Sequence, residues 1–307
     1  MVAMLRNAMQ VSVEETECDL FESRVKTFLG EPEKLKLSVR INGRTIPLKK
    51  KSRRSGHFQS WLELSNDFVQ KSICLDDHGN ATIPFEIDSN VPGVTPGFGV
   101  IVPLSRRGVS VISDIDDTIK VSLVTDRRKL LANTFLKEFE AVEGMAQTYR
   151  TWAKLGANFH YVSSSPWQLY DSLLKMRIEE GFPAGTFHLR NFLLRDQLLK
   201  KVLIIRRKGK VAAIKSIIKH LPERKFVLVG DSGEKDPEIY QKICAKYPGQ
   251  IEGLFIRQLE QRPLDAERFE RIRQAAPQVR CQSFDNASQL QNLASDIFER
   301  RATSGLV

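Results

Sequence analysis

The stretch VSVISDIDDTIKVS at residues 109–122 decides the fold of this chain. Its apolar beginning ends abruptly in acid, with Asp114, Asp116 and Asp117 followed directly by Thr118. An apolar run of this length predicts a strand that is buried on both faces, as in a parallel sheet. Residues two apart in an extended chain point the same way. The carboxylates of Asp114 and Asp116 are therefore expected to meet beyond the carboxyl end of the strand, where open α/β sheets bind their ligands.

The close spacing of these two carboxylates indicates chemistry. Two carboxylates that are held together repel each other unless a proton or a cation lies between them, which favours a divalent metal site, an acid–base pair or both. The alternative is a solvated turn after a strand, because Asp is common in turns. A simple turn requires no matching polar groups elsewhere in the chain, and this chain supplies three.

The first matching group is a serine cluster, Ser163, Ser164 and Ser165, which follows a predicted strand at residues 159–162. Ser165 is predicted as the N-cap of a helix and Pro166 as its first residue. Hydroxyls, free amides and the helix dipole are then expected to favour a bound anion. Helix capping alone is the alternative, although one serine suffices for a cap.

The second and third matching groups are a lysine and an acidic loop. Lys210 begins a predicted helix, and the strand that follows at residues 226–229 ends in Gly230, Asp231 and, five positions on, Asp236. Glycine at such a position permits a tight turn and a close approach to a ligand. Strands and helices alternate from about residue 106 onward, which predicts a Rossmann-like parallel α/β sheet with polar groups at its strand ends.

Residues 1–105 predict a separate accessory domain, β-rich and sandwich-like. Apolar residues alternate with polar ones at positions 35–41, 58–64 and 83–87, and Asn42-Gly43 is a strong hairpin signal. The basic run at residues 49–54 is interpreted mainly as a solvated loop, with contact to an anionic surface as the alternative. The predicted domains are thus residues 1–105 and residues 106–307.

The composition limits the partners and the location. A formal net charge of +10 over 307 residues favours anionic partners such as phosphorylated substrates, anionic lipid or nucleic acid. No aromatic RNA-binding signature, zinc finger or clear helix-turn-helix is present, so no nucleic acid partner is expected. No apolar stretch is long enough to span a bilayer, and no signal peptide is expected. The four scattered cysteines predict reduced thiols and a cytoplasmic protein.

In this order, the motifs resemble those of the haloacid-dehalogenase superfamily. The matching positions are Asp114, Asp116 and Thr118 in motif one, Ser163 in motif two, Lys210 in motif three, and Asp231 with Asp236 in motif four. More narrowly, SDIDDTIK, YVSSSPWQLY and FVLVGDSGEKDPEIY resemble the catalytic domain of phosphatidate phosphatases of the actin-patch-protein type, over roughly residues 100–260. Gly209 stands where that family commonly has a histidine, which leaves Lys208 and Lys215 as alternatives to Lys210.

The resemblance implies a catalytic role for four residues. Asp114 is the expected nucleophile, which attacks phosphorus and forms an aspartyl-phosphate. Asp116 is the expected general acid for the leaving oxygen and then the base for the attacking water. Ser163 is expected to hold phosphoryl oxygens, and Lys210 to offset the charge of the nucleophile and the phosphoryl group.

The resemblance also implies a cofactor and further contacts with the substrate. Mg²⁺ is expected, because oxygen ligands suit it and because it neutralises the repulsion between carboxylate and phosphate. Its expected ligands are Asp114, the backbone carbonyl of Asp116, Asp231 and Asp236. The further candidates for substrate binding are Thr118, Ser164 and Ser165.

The resemblance thus implies an Mg²⁺-dependent phosphatidate phosphatase, which hydrolyses phosphatidate to diacylglycerol and phosphate. A phosphatase of the same superfamily that acts on a soluble phosphomonoester is the alternative, and a non-catalytic module that binds lipid or polyanions is a third class. Phosphatidate is an anionic lipid, so its hydrolase must reach a membrane surface. Basic residues flank the motifs at positions 106–107, 127–129 and 206–208, and predict peripheral binding to anionic membranes.

Overall fold

The computed structural model describes residues 1–29, 34–53, 56–76, 79, 81–89, 91, 94–191 and 207–303. The chain divides into two compact units. The larger unit combines Met1–Phe28 and Ser105–Arg190 with the described residues from 207 onward, and the smaller unit is built from Leu29–Leu104. Both this division and the predicted domains have a boundary near residue 105. The first 28 residues, however, belong to the larger unit and not to the smaller one. The predicted domain limits themselves stay a prediction.

The first 29 residues are helical, which differs from the β-rich expectation for this part of the chain. Helix α1 spans Val2–Met9 and helix α2 spans Asp19–Leu29. In α2 the buried side chains Phe21, Arg24, Val25 and Phe28 recur at intervals of three and four residues, so one face of the helix packs inward. The alternating pattern characteristic of strands begins only at residue 35.

In its described residues, the smaller unit is an antiparallel sheet with one helix. Its strands are β1 (Ser38–Ile41), β2 (Arg44–Pro47), β3 (Cys74–Leu75), β4 (Ala81–Asp88) and β5 (Gly97–Ile101), and α3 spans Asn66–Ser72. The predicted hairpin is confirmed, since Asn42 and Gly43 join β1 to β2 with φ of 46° and 74°. The strand expected at residues 58–64 is not formed. Leu62 and Leu64 pack against the small core, while Trp61 is 73% exposed.

The larger unit contains the predicted parallel sheet. Its six strands are β6 (Val109–Asp114), β7 (Asn158–Pro166), β8 (Gly185–Arg190), β9 (Lys225–Asp231), β10 (Ile251–Arg257) and β11 (Arg280–Phe284). All neighbours run parallel, in the order β11-β10-β9-β6-β7-β8. Every residue of β6 is buried, as predicted from its continuous apolar run.

Helices cover this sheet. They are α4 (Arg127–Phe135), α5 (Met145–Lys154), α6 (Tyr170–Glu179), α7 (Arg207–His220), α8 (Asp236–Lys246), α9 (Ala266–Ala275) and α10 (Ala287–Thr303). Among the described residues, none of the helices is both long and apolar enough to cross a membrane. Of the strand-like material predicted at residues 187–205, β8 holds the first part, and residues 192–205 lie outside the described residues.

The strand order places a ligand crevice at the middle of the sheet. The chain leaves β6 for β7 on one side, and β9 later packs on the other side of β6. In open α/β sheets, ligands bind at the carboxyl ends of the strands where the order reverses in this way. The polar groups predicted from the sequence follow these three strands.

Candidate active site

Three neighbouring strand ends carry the polar residues of the site. Asp114 is the last residue of β6, Asp231 is the last residue of β9, and Ser163 lies near the end of β7. All three are buried, with at most 3% of each residue exposed. Parallel pairing aligns these strand ends, which brings residues distant in sequence to one edge of the sheet.

Three carboxylates form a compact cluster at this edge. Oxygen atoms of Asp114, Asp231 and Asp236 all lie within 4.8 Å of one another. Asp231 Oδ1 accepts hydrogen bonds from the backbone N–H groups of Gly233 and Glu234, at 2.6 and 2.9 Å. Among the described residues, nothing donates to Asp231 Oδ2 or Asp236 Oδ2, although both atoms are buried. Buried oxygens without a donor, in a set of three acids, fit a hard divalent cation such as Mg²⁺.

Gly230 lets this cluster form. A Cβ atom at this position would lie 2.7 Å from the ring of Tyr240 and closer still to the carboxylate of Asp236. Any larger residue would therefore clash with Asp236 and Tyr240 and displace them. The close approach observed at this glycine is to the side chain of Asp236, whereas the approach to a ligand that the sequence indicated stays a prediction.

Lys210 is the cation of the cluster. Its Nζ lies 2.5 Å from Asp114 Oδ1, also bonds Asp236 Oδ1, and lies 3.9 Å from Glu234 Oε2. The residue is 3% exposed, and it reaches the strand ends from the first turn of α7. Lys215, one of the alternatives, is only partly buried on the same helix, and the side chain of Lys208 lies outside the described part of the chain.

Burial and crowding raise the pKa of the clustered carboxylates. Burial raises the pKa of Asp114 and of Asp231 well above the ordinary carboxyl range, and the charge of Asp236 adds to this at both residues. Lys210 opposes the increase at each of them. Among the described residues, Lys210 is the one cation in an ion pair with any of these three acids. One lysine does not balance three acids, and a bound divalent cation would restore the balance.

The carboxylate of Asp116 has different partners. Ser163 and Ser165 donate to its Oδ2 at 2.7 and 2.9 Å, while Ser122 donates to Oδ1 at 2.7 Å and Lys120 Nζ lies 2.9 Å from Oδ1. Among the described residues, the metal-type cluster therefore holds three carboxylates and excludes that of Asp116. Burial favours the neutral acid, but Lys120 and the hydrogen bonds from Ser163 and Ser122 lower the pKa of Asp116 below its usual range.

The loop after β6 is shaped by the two residues that follow Asp116. Asp117 has a φ of 55°, and its carboxylate accepts the backbone N–H groups of Ser122, Leu123 and Val124 at 2.7 to 2.8 Å. Asp tolerates this left-handed conformation better than most residues. Thr118 donates to Asp114 Oδ2 at 3.2 Å and is fully buried, so its hydroxyl holds the aspartate.

The serine segment differs from its predicted form. Strand β7 continues through Pro166, a short 3-10 helix spans Trp167–Leu169, and α6 begins only at Tyr170. The prediction of Ser165 as the N-cap and Pro166 as the first helical residue is therefore wrong. The hydroxyl of Ser165 bonds Asp116, and its N–H donates to Ser163 Oγ at 2.8 Å. Ser164 is partly exposed beside them.

Three residues at the site were not predicted. Lys120 and Ser122 bond Asp116, and Glu234 is a buried acid near Lys210 whose pKa is raised by burial to about 8. Lys120 and Ser122 stand in the opening sequence stretch, so their presence was visible. The direction of their side chains could not be read from the sequence, because it depends on the turn that Asp117 forms. Glu234 lies between the two acids of motif four and could have been found there.

The comparisons with known proteins agree with this geometry. Residues 109–258 match the family model described as the catalytic domain of phosphatidate phosphatase APP1. The chain is 37% identical over 158 residues to an uncharacterized protein of Schizosaccharomyces pombe. The matched segment covers 50% of this chain and 26% of that protein. It is 34% identical over 200 residues to phosphatidate phosphatase APP1 of Saccharomyces cerevisiae. This second match covers 59% of this chain and 34% of that protein.

The matches to the curated relatives therefore span about a quarter to a third of the length of those proteins. The family match itself begins at the first residue of β6 and ends one residue after β10. It contains every strand end at which the acids, the serines and the lysine meet. The resemblance drawn from the motifs is confirmed, since residues 109–258, just under half of the chain, match the family model of the phosphatidate phosphatase APP1 catalytic domain.

Proposed function

We propose that this chain is an Mg²⁺-dependent phosphatidate phosphatase that releases phosphate and diacylglycerol through an aspartyl-phosphate. The observation that carries the proposal is the buried cluster of Asp114, Asp231 and Asp236 around Lys210, in a domain that matches the APP1 family model. The third class, a non-catalytic binding module, would not require a buried nucleophile beside such a cluster. Burying charge without a use for it is costly.

The proposed reaction has two steps. A carboxylate oxygen of Asp114 attacks phosphorus, the bond from phosphorus to the glycerol oxygen breaks, and Asp116 gives a proton to the leaving oxygen. Water then attacks the phosphorus of the aspartyl-phosphate, Asp116 takes its proton, and Asp114 is freed with release of phosphate. Lys210 offsets the negative charge that builds up on the phosphoryl group.

The environment of Asp116 supports its role in the second step. Lys120 and the serine hydroxyls favour the ionised carboxylate, which is the form that accepts a proton from water. The first step requires the protonated form. Arrival of an anionic phosphoryl group next to Asp116 favours that form, because a like charge nearby raises the pKa of a carboxyl group.

The residues that would hold Mg²⁺ are Asp114, Asp231 and Asp236, together with the backbone carbonyl of Asp116. The ion would neutralise the repulsion between the nucleophilic carboxylate and the phosphate when bound. This set of ligands is supported by two buried oxygens, one on Asp231 and one on Asp236, which have no hydrogen-bond donor among the described residues. The side chain of Asp116 is left out of the set, because its oxygens are already bonded.

The proposal includes peripheral binding to an anionic membrane, by a cytoplasmic protein whose four cysteines are free thiols. The basic residues that flank the motifs support it only weakly. Arg106 and Arg107 both pair with Glu223, at 2.7 and 3.3 Å. Better support comes from the smaller unit, where basic and aromatic side chains line one pocket, which we call the basic–aromatic patch. These residues are Lys50, Lys51, Arg53, Phe58 and Trp61.

The basic–aromatic patch has the chemistry of a lipid contact. Each cation near an anionic membrane contributes about 1 kcal/mol, and tryptophan favours the membrane interface. Binding to vesicles of mixed neutral and anionic lipid is expected at low salt and is expected to weaken at high salt. Lys50→Glu is expected to weaken this binding, whereas Lys71→Glu, which makes the same change of charge on α3, serves as the matched control. Equal sedimentation of all three proteins would argue against the patch.

The test of the activity is phosphate release from phosphatidate in micelles, beside glycerol 3-phosphate, a sugar phosphate and a nucleotide. Phosphatidate is expected to have the highest kcat/KM. Asp114→Asn is expected to abolish turnover while the protein remains folded, because the amide has the same shape but is a poor nucleophile. Faster turnover of a soluble phosphomonoester would move the protein to the alternative class, and near-normal activity of Asp114→Asn would exclude the proposed nucleophile.

A further inference from the structure

A partly open cavity of about 150 Å³ lies directly beside the candidate active site. Asp116, Ser164 and Ser165 form part of its lining, so it opens onto the proposed phosphoryl site. Most of the remaining exposed surface is apolar and comes from two helices and the segment after β7, while the other polar lining residues are Arg127, Thr134, Arg190 and Glu234. We call this cavity the side pocket. Its main apolar residues are Phe28, Val124, Leu130, Leu131, Phe135 and Leu169.

The side pocket is built by parts of the chain that the motifs do not include. Phe28 comes from α2, which precedes the matched region of residues 109–258, and its ring lies 5.5 Å from that of Phe135 on α4. Phe21 packs against Phe135 from the other end of α2, at 6.4 Å. Helix α2 therefore adds a wall to the catalytic unit.

Arg24 holds this wall in place. It is 3% exposed, and it donates to the backbone carbonyls of Thr134, at 2.8 Å, and Lys137. Its guanidinium also lies 4.3 Å above the ring of Phe139. A buried arginine bonded to the end of α4 fixes α2 against it, so the side pocket is formed before a ligand arrives, as ligand sites usually are.

The apolar lining indicates the class of group that enters. A sugar or a nucleoside presents hydroxyls and amides, which lose free energy when buried without a hydrogen-bond partner. Arg127, Thr134, Arg190 and Glu234 could bond such groups at part of the lining, but the larger apolar part, with Leu130, Leu131 and Phe135, offers no such partner. A hydrocarbon chain needs none, and a cavity of about this size takes a group of roughly six carbons.

We propose that the side pocket binds the first carbons of the hydrocarbon part of a lipid phosphomonoester, while its phosphate lies at Asp114 and Asp116. The inference rests on the proposed phosphatase function and adds to it a subsite and its ligand class. In this arrangement α2 and α4 select an apolar leaving group over a polar one. The catalytic residues themselves only recognise the phosphoryl group.

The test uses straight-chain alkylphosphonates of one to ten carbons, which cannot be hydrolysed. Their affinity for the whole 307-residue chain is measured by calorimetry in the presence of Mg²⁺. In the wild type the affinity is expected to rise about fourfold for each added methylene. It should level off after about six carbons, when the side pocket is full.

Two variants and a control locate the effect. Leu130→Trp fills the side pocket, and Leu130→Asn keeps its volume but makes it polar, so both are expected to flatten the dependence on chain length. Two variants are used so that misfolding of one does not leave the question open. Lys129→Trp adds the same bulk one residue earlier on α4, where the side chain is 64% exposed, and is expected to keep the dependence.

The result also separates this inference from the proposed function. Affinity that is independent of chain length in the wild type, or that rises equally in the folded Leu130 variants, overturns the side pocket as the hydrocarbon site. A rising affinity in the wild type, with no turnover of phosphatidate, would keep the side pocket and reject the proposed substrate. Turnover of phosphatidate, with an affinity for alkylphosphonates that does not depend on chain length, would keep the proposed substrate and reject the side pocket.

Discussion

The cluster of three buried acids predicts that the larger unit is stabilised by Mg²⁺ and that Asp231→Asn removes this effect. Two unit charges 4.8 Å apart repel by about 3.5 kcal/mol at an effective dielectric constant near 20. Lys210 bonds Asp114 and Asp236 directly. Asp231 instead accepts only backbone N–H groups among the described residues, so it depends most on a bound cation.

The size of the effect follows from linkage. A ligand present at about 100 times its Kd stabilises the folded state by about 2.7 kcal/mol. In a unit of this size, 1 kcal/mol changes Tm by about 2–4 °C, so the Tm of the wild type should rise by roughly 5–10 °C in saturating Mg²⁺. Calorimetric unfolding in EDTA and in increasing Mg²⁺ measures it, with the transition of the smaller unit followed separately.

Asp231→Asn has two expected consequences. Its amide oxygen can still accept the N–H groups of Gly233 and Glu234, and one repelling charge is gone, so Tm in EDTA should equal or exceed that of the wild type. The increase in Mg²⁺ should fall below about 2 °C, because a charged ligand is lost. Glu267→Gln, at a side chain that is 83% exposed, is the matched control and should keep the full increase. An unchanged Mg²⁺ response in Asp231→Asn would refute the metal site.

Three further predictions concern catalysis, the core and pH. Lys210→Met is expected to lower kcat by about 10²–10³-fold, comparable to the loss of one donor that stabilises the transition state. The kcat of Lys215→Met, on the same helix, should stay near that of the wild type. The opposite result would show that motif three is misplaced. Arg224 is fully buried and donates to acceptors before β6, in β6 and in β7. Arg224→Met should therefore cost on the order of 3 kcal/mol in urea unfolding, against about 0.5 kcal/mol or less for Arg273→Met at an exposed position. Burial lowers the pKa of His160 to about 3, so the unfolded chain takes up its proton first as pH falls below about 6.5. The contribution of His160 to stability should therefore drop by roughly 2 kcal/mol between pH 7 and pH 5, and His188, whose pKa burial lowers to about 4, acts in the same direction. Urea unfolding of His160→Gln should show a smaller drop, and an equal drop would exclude this histidine.

Much of the fold could be predicted because burial leaves a local pattern. The continuous apolar run of β6 and the acid that ends it follow from a strand covered on both faces. Parallel strands end at the same edge, so the order of acids, serines and acids along the chain was enough to predict that Asp114, Ser163 and Asp231 meet. That prediction needed no knowledge of distances.

The partners of Asp116 could not be predicted in this way. Alternation predicted that its carboxylate would join that of Asp114, but β6 ends at Asp114 and the chain turns after it. In that turn the side-chain directions are determined by hydrogen bonds to Asp117, and they bring Lys120 and Ser122 to Asp116 instead. The period-two rule holds only while the backbone stays extended.

By itself, the sequence determined the parallel sheet, the acids and serines at its strand ends and the hairpin at Asn42-Gly43, because each depends on neighbours a few residues away. Only the tertiary structure decided that three carboxylates form the cluster and that α2 closes a pocket beside it. Arg24 bonds the carbonyl of Thr134 across 110 residues. Local periodicity shows that one face of α2 is apolar, but it does not show which distant helix covers that face, because packing between elements depends on the shape of the whole fold.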